Sequence, residues 1–258
     1  MIDYSKLFER TLYTTNQFQY LIGESIIEYD IESAGFNICK QFELLTEEKI
    51  KELEEMDKKE RHIALGYIQK GNKEFINKLN EGFKKCREWF FKNNNIQDDD
   101  VISIRKDAIF VRKRRCKETS FGCIKFNIKH EYNSFIILNS FEFYIGDEYI
   151  SCKGISDKSL SYHEEYMMNF IKEFMYLFNK SKNEALDFIK TFAVAYRNYE
   201  LDVNYYREFN HESLFRPKKD IKVNISDMGF INYNLDSKYL DISYNYINYI
   251  IPLYRMII

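Results

Sequence analysis

The sequence predicts an α+β fold, with a mixed core at residues 1–157 and a helical region at residues 158–258. Hydrophobic residues make up 45% of the 258 residues and aromatic residues 17%, which indicates an ordered chain with a large buried core. It contains 9 Gly and 2 Pro, so long flexible linkers are not expected. Runs of strand-forming residues mark the first region, whereas the second opens with apolar residues at helical spacing.

The N-terminal segments are expected to begin with a helix or arm at residues 1–20. The stretch GESIIEYDIESAGF opens with strand formers and turns helical near Ser33–Phe36. Residues 46–60 predict a helix, with Thr46 as N-cap and two glutamates in the first turn, where acids suit the helix dipole. Residues 61–71 predict a second short helix.

The clearest helix of the sequence is NKEFINKLNEGFKKCREWFFKNN, residues 72–94, in which apolar residues recur at spacings of three and four. Four strands are predicted after it, at residues 101–113, 121–129, 134–146 and 149–155. The chain becomes helical again from about Ser159. The last sixty residues show weak periodicity and carry no assignment.

Charge and cysteine content limit the classes of function. The net charge is −2, so nucleic-acid binding would need a local basic patch. The five cysteines form no CxxC pair, which indicates free thiols in a reducing compartment and not a zinc site or disulfide framework. The sequence has no signal-peptide core and no run of 18 uncharged apolar residues, so we expect a cytoplasmic protein without membrane contact.

Two aspartates are candidate metal ligands. Asp107 stands in the middle of a run that otherwise predicts a buried strand, where a carboxylate is costly unless a partner or a metal ion compensates for its charge. Asp30 directly follows the apolar stretch SIIEY. If the two strands are neighbours, the carboxylates can hold two divalent cations about 4 Å apart and promote phosphoryl transfer. Oxygen ligands favour Mg²⁺ or Mn²⁺. The alternative is that both acids are ordinary turn or cap residues.

Several segments resemble, in order, motifs of the palm domain of family B DNA polymerases. YDIESAGFNI resembles motif A, with Asp30, Ser33 and Phe36 at matching positions. RKDAIFV resembles motif C, with Asp107 aligned to the second acid of that motif and Ala-Ile-Phe-Val following it. The helix at residues 72–94 is similar to the helix that precedes motif C in the palm.

Two later segments extend the resemblance over residues 24–157. CIKFNIKHEY resembles a palm strand with a Leu-Glu-Phe-Glu signature, and YISCKGI resembles the Lys-Gly-Ile segment that closes the palm. The resemblance implies a polymerase-palm-like antiparallel sheet covered by helices. It also implies shortened fingers around residues 46–71 and a helical, thumb-like region at residues 158–258.

In function, the resemblance implies a two-metal nucleotidyltransferase that joins nucleotides to a 3′ hydroxyl. Asp30 and Asp107 would be the catalytic metal ligands, the backbone carbonyl of Ile31 a third ligand, and Mg²⁺ or Mn²⁺ the cofactor. The partners would be a nucleoside triphosphate, nucleic acid and a larger protein complex, and we expect an origin in a phage or mobile element. The residues expected to contact the nucleotide are Ser33, Phe36 and Lys59.

Basic residues are the expected phosphate contacts. The cluster VRKRRCK follows the motif C segment directly, and it is either a grip on primer or template phosphates or a solvated hairpin turn. The expected phosphate- or nucleic-acid-binding residues are Arg105, Lys106, Arg112, Lys113, Arg114 and Lys153.

The sequence departs from the family pattern at several positions. Arg105 stands where the first motif C acid is expected, and Lys106 where a Thr is usual. Lys59 is followed by IALGY, which keeps a Gly and a Tyr but lacks the Asn-Ser of the fingers helix. A second hypothesis is therefore a catalytically degenerate palm that acts as a nucleic-acid-binding or scaffolding subunit of a phage replication or transcription complex. A third is an unrelated α/β interaction protein.

Overall fold

The computed structural model describes residues 4–113, 115–138, 141–147, 149–154, 164–198, 200–201, 223–225, 231–233, 250 and 253–258. The chain forms two compact units. The first contains residues 1–18 and 24–132, and the second contains residues 19–23 and 133–258. Two long strands contribute residues to both units.

The sheet of the first unit is built from β1 (Leu12–Thr14), β2 (Tyr20–Ile31), β3 (Val101–Arg105), β4 (Ala108–Arg112), β5 (Ser120–Phe121) and β6 (Ile124–Leu138). Hydrogen-bonded neighbours follow the order β1-β3-β4-β2-β6, and β5 pairs with β6. The pairs β1/β3, β3/β4, β2/β4 and β5/β6 are antiparallel. This arrangement places the end of β2 beside the start of β4.

The helices of the first unit are α1 (Ala34–Gln41), α2 (Glu47–Glu55), α3 (Lys58–Gln69) and α4 (Lys73–Asn93), with 3-10 helices at Tyr4–Glu9 and Asp98–Asp100. Thr46 caps α2 as predicted, since its side chain accepts a hydrogen bond from the Lys49 amide. Asp57 and Glu60 form a capping box at the start of α3. The apolar stripe of α4 packs on one face of the sheet, which is why Phe83 and Phe90 are buried.

The second unit contains the remaining parts of β2 and β6, together with β7 (Phe141–Ile145), β8 (Ile150–Lys153), α5 (Glu164–Lys180), α6 (Lys182–Arg197), β9 (Val223–Ile225) and β10 (Ile231–Tyr233). The β6/β7, β7/β8 and β9/β10 pairs are antiparallel. Helices α5 and α6 pack through aromatic side chains, with the rings of Phe170 and Phe192 4.3 Å apart. A short helix also forms at residues 253–257.

The α+β class and the antiparallel sheet covered by helices are confirmed, and so are the helices predicted at residues 46–60, 61–71 and 72–94 within a few residues. The single strand predicted at residues 101–113 is wrong, because a hairpin turn divides it into β3 and β4. The single strand at residues 134–146 is also wrong, because β6 and β7 pair with each other there. The proposed boundary at residue 157 lies outside the described residues and stays a prediction.

Within the described residues, no helix combines the length and the apolar character that crossing a membrane requires.

Candidate functional site

Asp107 lies in the two-residue turn that joins β3 to β4. Arg105 pairs with Ala108 as the last rung of the hairpin, which leaves Lys106 and Asp107 as the turn. Lys106 has φ +54°, a left-handed conformation that Gly or Asn usually adopts at this position in a tight hairpin. The expectation that Asp107 is buried in mid-strand is therefore wrong. The residue is half-buried and lies where two inner strands of the sheet meet in a turn.

Asp30 lies beside this turn. It pairs with Ala108 across the β2/β4 ladder, and the amide of Ile31 donates a hydrogen bond to the Asp107 carbonyl at 3.2 Å. Both aspartates line one cavity of about 700 Å³ in the first unit. Two acids that are 77 positions apart in the sequence, the difference between 107 and 30, thus come from adjacent chain segments at one site.

Arg87 of α4 holds the turn by hydrogen bonding to its backbone. This side chain is fully buried, and its guanidinium donates to the Lys106 carbonyl at 2.7 Å and to the Phe8 carbonyl at 2.8 Å. Burial lowers the pKa of Arg87 to about 10, while the negative charge of Asp107 acts in the opposite direction. Arg87 therefore remains charged at neutral pH and fixes the backbone next to Asp107.

The loop after β2 places the first turn of α1 at the same cavity. Ser33 takes a left-handed conformation, with φ and ψ both 45°, and its carbonyl accepts hydrogen bonds from Phe36 and Asn37 at 3.0 Å. The Asn37 side chain closes the loop by donating to the Glu32 carbonyl at 2.5 Å. Ser33, Gly35 and Phe36 line the cavity, so the N-terminal turn of α1 faces it.

A third side of the cavity is formed by α3 and is rich in positive charge. Four residues of α3 line this side, namely Lys58, Lys59, Arg61 and His62. Both lysines are exposed. The Arg61 guanidinium donates hydrogen bonds to the carbonyls of Leu53 and Met56, both at 3.0 Å. These bonds link α3 to the end of α2. The Arg61 guanidinium carbon also lies 4.5 Å from the centroid of the Phe36 ring. Lys106 lines the cavity as well, so the cavity combines two acids with several cations.

The donor set suits a hard cation that a substrate helps to bind. The described residues hold no group of three or more His, Cys, Asp or Glu side chains arranged for a metal ion. Mg²⁺, however, is usually bound by one or two carboxylates together with substrate phosphates and water. Asp30 and Asp107, which line the cavity together with Ile31, fit that pattern. They do not form a preassembled cage.

A lysine lies next to Asp30. The Lys129 ammonium is 3.8 Å from Asp30 Oδ2 and 3.7 Å from Glu28 Oε1. Glu28 is fully buried and accepts a hydrogen bond from the Tyr132 hydroxyl at 2.6 Å. Because β2 residues alternate between faces, Glu28 and Asp30 lie on the face opposite Tyr29, whose ring packs against the α4 helix.

Most of the predicted phosphate-binding residues do not line the cavity. Arg105 donates to the Thr14 hydroxyl at 3.4 Å, and Arg112 donates to the Asp99 carbonyl at 2.6 Å. Lys113 is exposed, and Lys153 lies in β8 of the second unit. Arg114 lies outside the described residues. Of this predicted set, Lys106 lines the cavity.

Several cavity residues are not marked by any of the sequence motifs. Lys58, Arg61 and His62 were not assigned to the site, although they lie within three positions of Lys59 and therefore on adjoining turns of one helix. Lys129 and Arg87 gave no local signal, because the groups they contact are far away in the sequence.

The fold and the site define an α+β protein whose first unit holds a paired-aspartate cavity lined with basic side chains. Over residues 1–258 the chain matches the model of the family described as Bacteriophage PBS1 gene 130 protein, and it belongs to that family. This membership supports the phage origin predicted from the sequence. No curated protein matches the chain. The family description gives no activity.

Proposed function

We propose that this protein is a nucleotidyltransferase of the polymerase-palm type, which joins a nucleoside triphosphate to a 3′ hydroxyl with the aid of Mg²⁺ or Mn²⁺. One observation carries the proposal: Asp30 and Asp107 line the same cavity as Lys59. The resemblance to the polymerase palm implies complementary roles for these three residues in one reaction.

The strand arrangement supports the palm assignment. The motif A resemblance requires an aspartate at the end of a strand, and the motif C resemblance requires one on a neighbouring element. Asp30 occupies the end of β2, and Asp107 occupies the turn of the adjoining hairpin.

The two carboxylates would hold the cations, with the Ile31 carbonyl as a further ligand. When bound, such ions activate the attacking hydroxyl and neutralise the charge that develops on the transferred phosphoryl group. The chain's own contribution is to fix the two acids. Arg87 holds the turn before Asp107, and the β2/β4 ladder holds Asp30.

The remaining walls of the cavity suit a triphosphate. Lys58 and Lys59 of α3 and Lys106 of the hairpin supply positive charge, and the N-terminal turn of α1 presents backbone N–H groups near Ser33. Phe36 is an apolar part of the cavity wall, and the Arg61 guanidinium over its ring adds positive charge there. The nucleotide would thus lie between α1 and α3, with its phosphates toward the two aspartates.

An incorporation assay tests this function. Purified protein would be incubated with Mg²⁺ or Mn²⁺, labelled nucleoside triphosphates, and primed or unprimed oligonucleotides. We expect pyrophosphate release and label incorporation that Asp30→Asn and Asp107→Asn abolish. Asp187→Asn is the matched control, because Asp187 is exposed on α6 and does not line the cavity. Absence of incorporation by the unaltered protein, or incorporation that both cavity variants retain, would refute the proposal.

A degenerate palm that binds nucleic acid or scaffolds a larger phage complex is the second candidate. The observation that favours it is the positive charge around the acids: Lys129 contacts Asp30, and Arg105 stands in the motif C segment. Oligonucleotide or partner binding that survives Asp30→Asn and Asp107→Asn, without incorporation, would favour this candidate over the enzyme.

A further inference from the structure

We propose that Lys129 is a built-in counter-ion of Asp30, and that a divalent cation must displace its ammonium from this carboxylate in order to bind. The inference concerns how the acid pair is regulated, and it rests on the proposed metal site. It names a residue to which neither the sequence resemblance nor the family match assigns a role.

Glu28 is a buried carboxylate that needs compensating contacts. This carboxylate is fully buried, and burying a charge is costly unless it is hydrogen-bonded and paired. The Tyr132 hydroxyl supplies a short hydrogen bond at 2.6 Å, and the Lys129 ammonium at 3.7 Å supplies opposite charge. Glu28 is therefore a fixed anchor for Lys129.

Lys129 is shared between Glu28 and Asp30. Its ammonium lies 3.8 Å from Asp30 Oδ2 while it contacts Glu28, which precedes Asp30 by two positions on the same strand face. One positive charge thus serves two carboxylates. A divalent cation at Asp30 would meet this ammonium at close range, where two positive charges repel.

The Lys129 ammonium can move away from Asp30. The Lys129 side chain is 47% exposed and the Asp30 side chain 32% exposed, so solvent reaches the contact. An ammonium that leaves Asp30 can keep its attraction to Glu28, because that carboxylate is held by Tyr132. Displacement therefore costs the site one weak ion pair and leaves the buried anchor paired.

The test measures Mn²⁺ binding by calorimetry and by electron paramagnetic resonance of free Mn²⁺, without nucleotide. We expect Lys129→Met to tighten binding by about threefold or more, because it removes the competing charge. Lys129→Arg keeps the charge and should bind Mn²⁺ as the unaltered protein does. Lys125→Met, an exposed lysine of the same strand, is the matched control and should change nothing.

The Asp30→Asn substitution identifies the site. Tightening by Lys129→Met that disappears in the Asp30→Asn background supports the inference. A second result also supports the inference: Lys129→Met binds Mn²⁺ through Asp30, whereas the unaltered protein does not bind it. That result would also favour the degenerate palm. If Lys129→Met does not fold, the Glu28→Gln/Lys129→Met double variant, which removes the charges of both the buried carboxylate and the exposed ammonium, takes its place.

Two other outcomes separate the inference from the proposed function. Asp30-dependent binding by the unaltered protein that Lys129→Met leaves equal or weaker would overturn the counter-ion role and leave the nucleotidyltransferase proposal standing. No Asp30-dependent binding by any variant would overturn both.

Discussion

Arg87 and Lys106 are joined by a 2.7 Å hydrogen bond from a fully buried guanidinium to the carbonyl that precedes Asp107. The same guanidinium donates to the Phe8 carbonyl, so one side chain ties α4 to the N-terminal 3-10 helix and to the hairpin turn. The geometry of the proposed site therefore depends on a residue that lies beneath it and does not line the cavity.

Replacing Arg87 should destabilise the protein. Arg87→Met leaves the carbonyls of Phe8 and Lys106 without this donor, and we expect a loss of about 2–3 kcal/mol in the free energy of unfolding. Arg87→Lys should also be destabilised, because an ammonium lacks the planar fork that reaches both carbonyls. Urea unfolding measures the effect. Lys78→Met, an exposed position of the same helix, should stay within about 0.5 kcal/mol of the unaltered protein, and equal losses at both positions would contradict this account.

Gly82 and Gly66 form a matched pair of glycine-to-alanine tests. A Cβ at Gly82 would clash with the Ile38 side chain, where α4 packs on α1, so Gly82→Ala should destabilise the protein by about 1–3 kcal/mol. A Cβ at Gly66 of α3 would meet nothing within 4 Å, so Gly66→Ala should stabilise it by about 0.5–1 kcal/mol through helix propensity. Thermal melting of both variants checks the opposite signs. Stabilisation by Gly82→Ala would contradict the close α1–α4 contact, and destabilisation by Gly66→Ala would contradict the open surroundings of Gly66.

The buried thiols should make stability fall at alkaline pH. Burial raises the pKa of the Cys39 and Cys86 thiols from 9.0 to about 12. Since the unfolded thiols lose protons near pH 9 while the folded ones keep them, their contribution is complete below pH 9 and declines as pH rises toward 12. Near pH 10 each thiol should account for a loss of about 1 kcal/mol. Urea unfolding at pH 8 and pH 10 should show a smaller difference in Cys39→Ala than in the unaltered protein. An unchanged difference would contradict the assignment.

Lys59 should contribute to nucleotide affinity. If it contacts the triphosphate, Lys59→Met should raise the KM for nucleotide by about tenfold or more, since it removes a hydrogen bond to a charged group. It should leave folding intact, because Lys59 is exposed. Steady-state incorporation kinetics measure this, with Lys78→Met as the control. A KM that both variants leave unchanged would remove Lys59 from the site.

Patterns that repeat along the chain were readable from the sequence. The apolar spacing of α4, the Thr46 cap of α2 and the change from strand to helix before Ala34 all follow from neighbouring residues. The aspartate pair also follows from the sequence, through the resemblance of its two segments to motifs A and C. Its members do line one cavity.

The hairpin turn at Lys106 and Asp107 could not be read from local signals. Two-residue hairpin turns usually contain Asn or Gly, and this is the signal by which a sequence predicts them. Here Lys106 adopts the positive φ between two strand-forming runs. What holds this turn is Arg87, whose two acceptors are 19 and 79 positions away in the sequence. Arg87 belongs to the charged stretch KKCRE, which suggests an exposed helix face, although the residue is fully buried.

The contact of Lys129 with Glu28 and Asp30 was missed for a related reason. The alternation of β2 puts two acids on one face, but the sequence does not show which strand lies beside them. The Tyr132 hydroxyl that holds Glu28 is 104 positions from it. Pairing between distant strands therefore determines which charged side chains meet at the site. The spacing of neighbouring residues determines only which helices and strands form there.

Diffraction from crystals grown with Mn²⁺ and a non-hydrolysable nucleoside triphosphate is the most direct measurement of the central claim. The account predicts an anomalous Mn²⁺ peak within about 2.1–2.3 Å of carboxylate oxygens from both Asp30 and Asp107, with the triphosphate oxygens completing its coordination. A nucleotide bound elsewhere, or a peak that neither aspartate contacts, would contradict it.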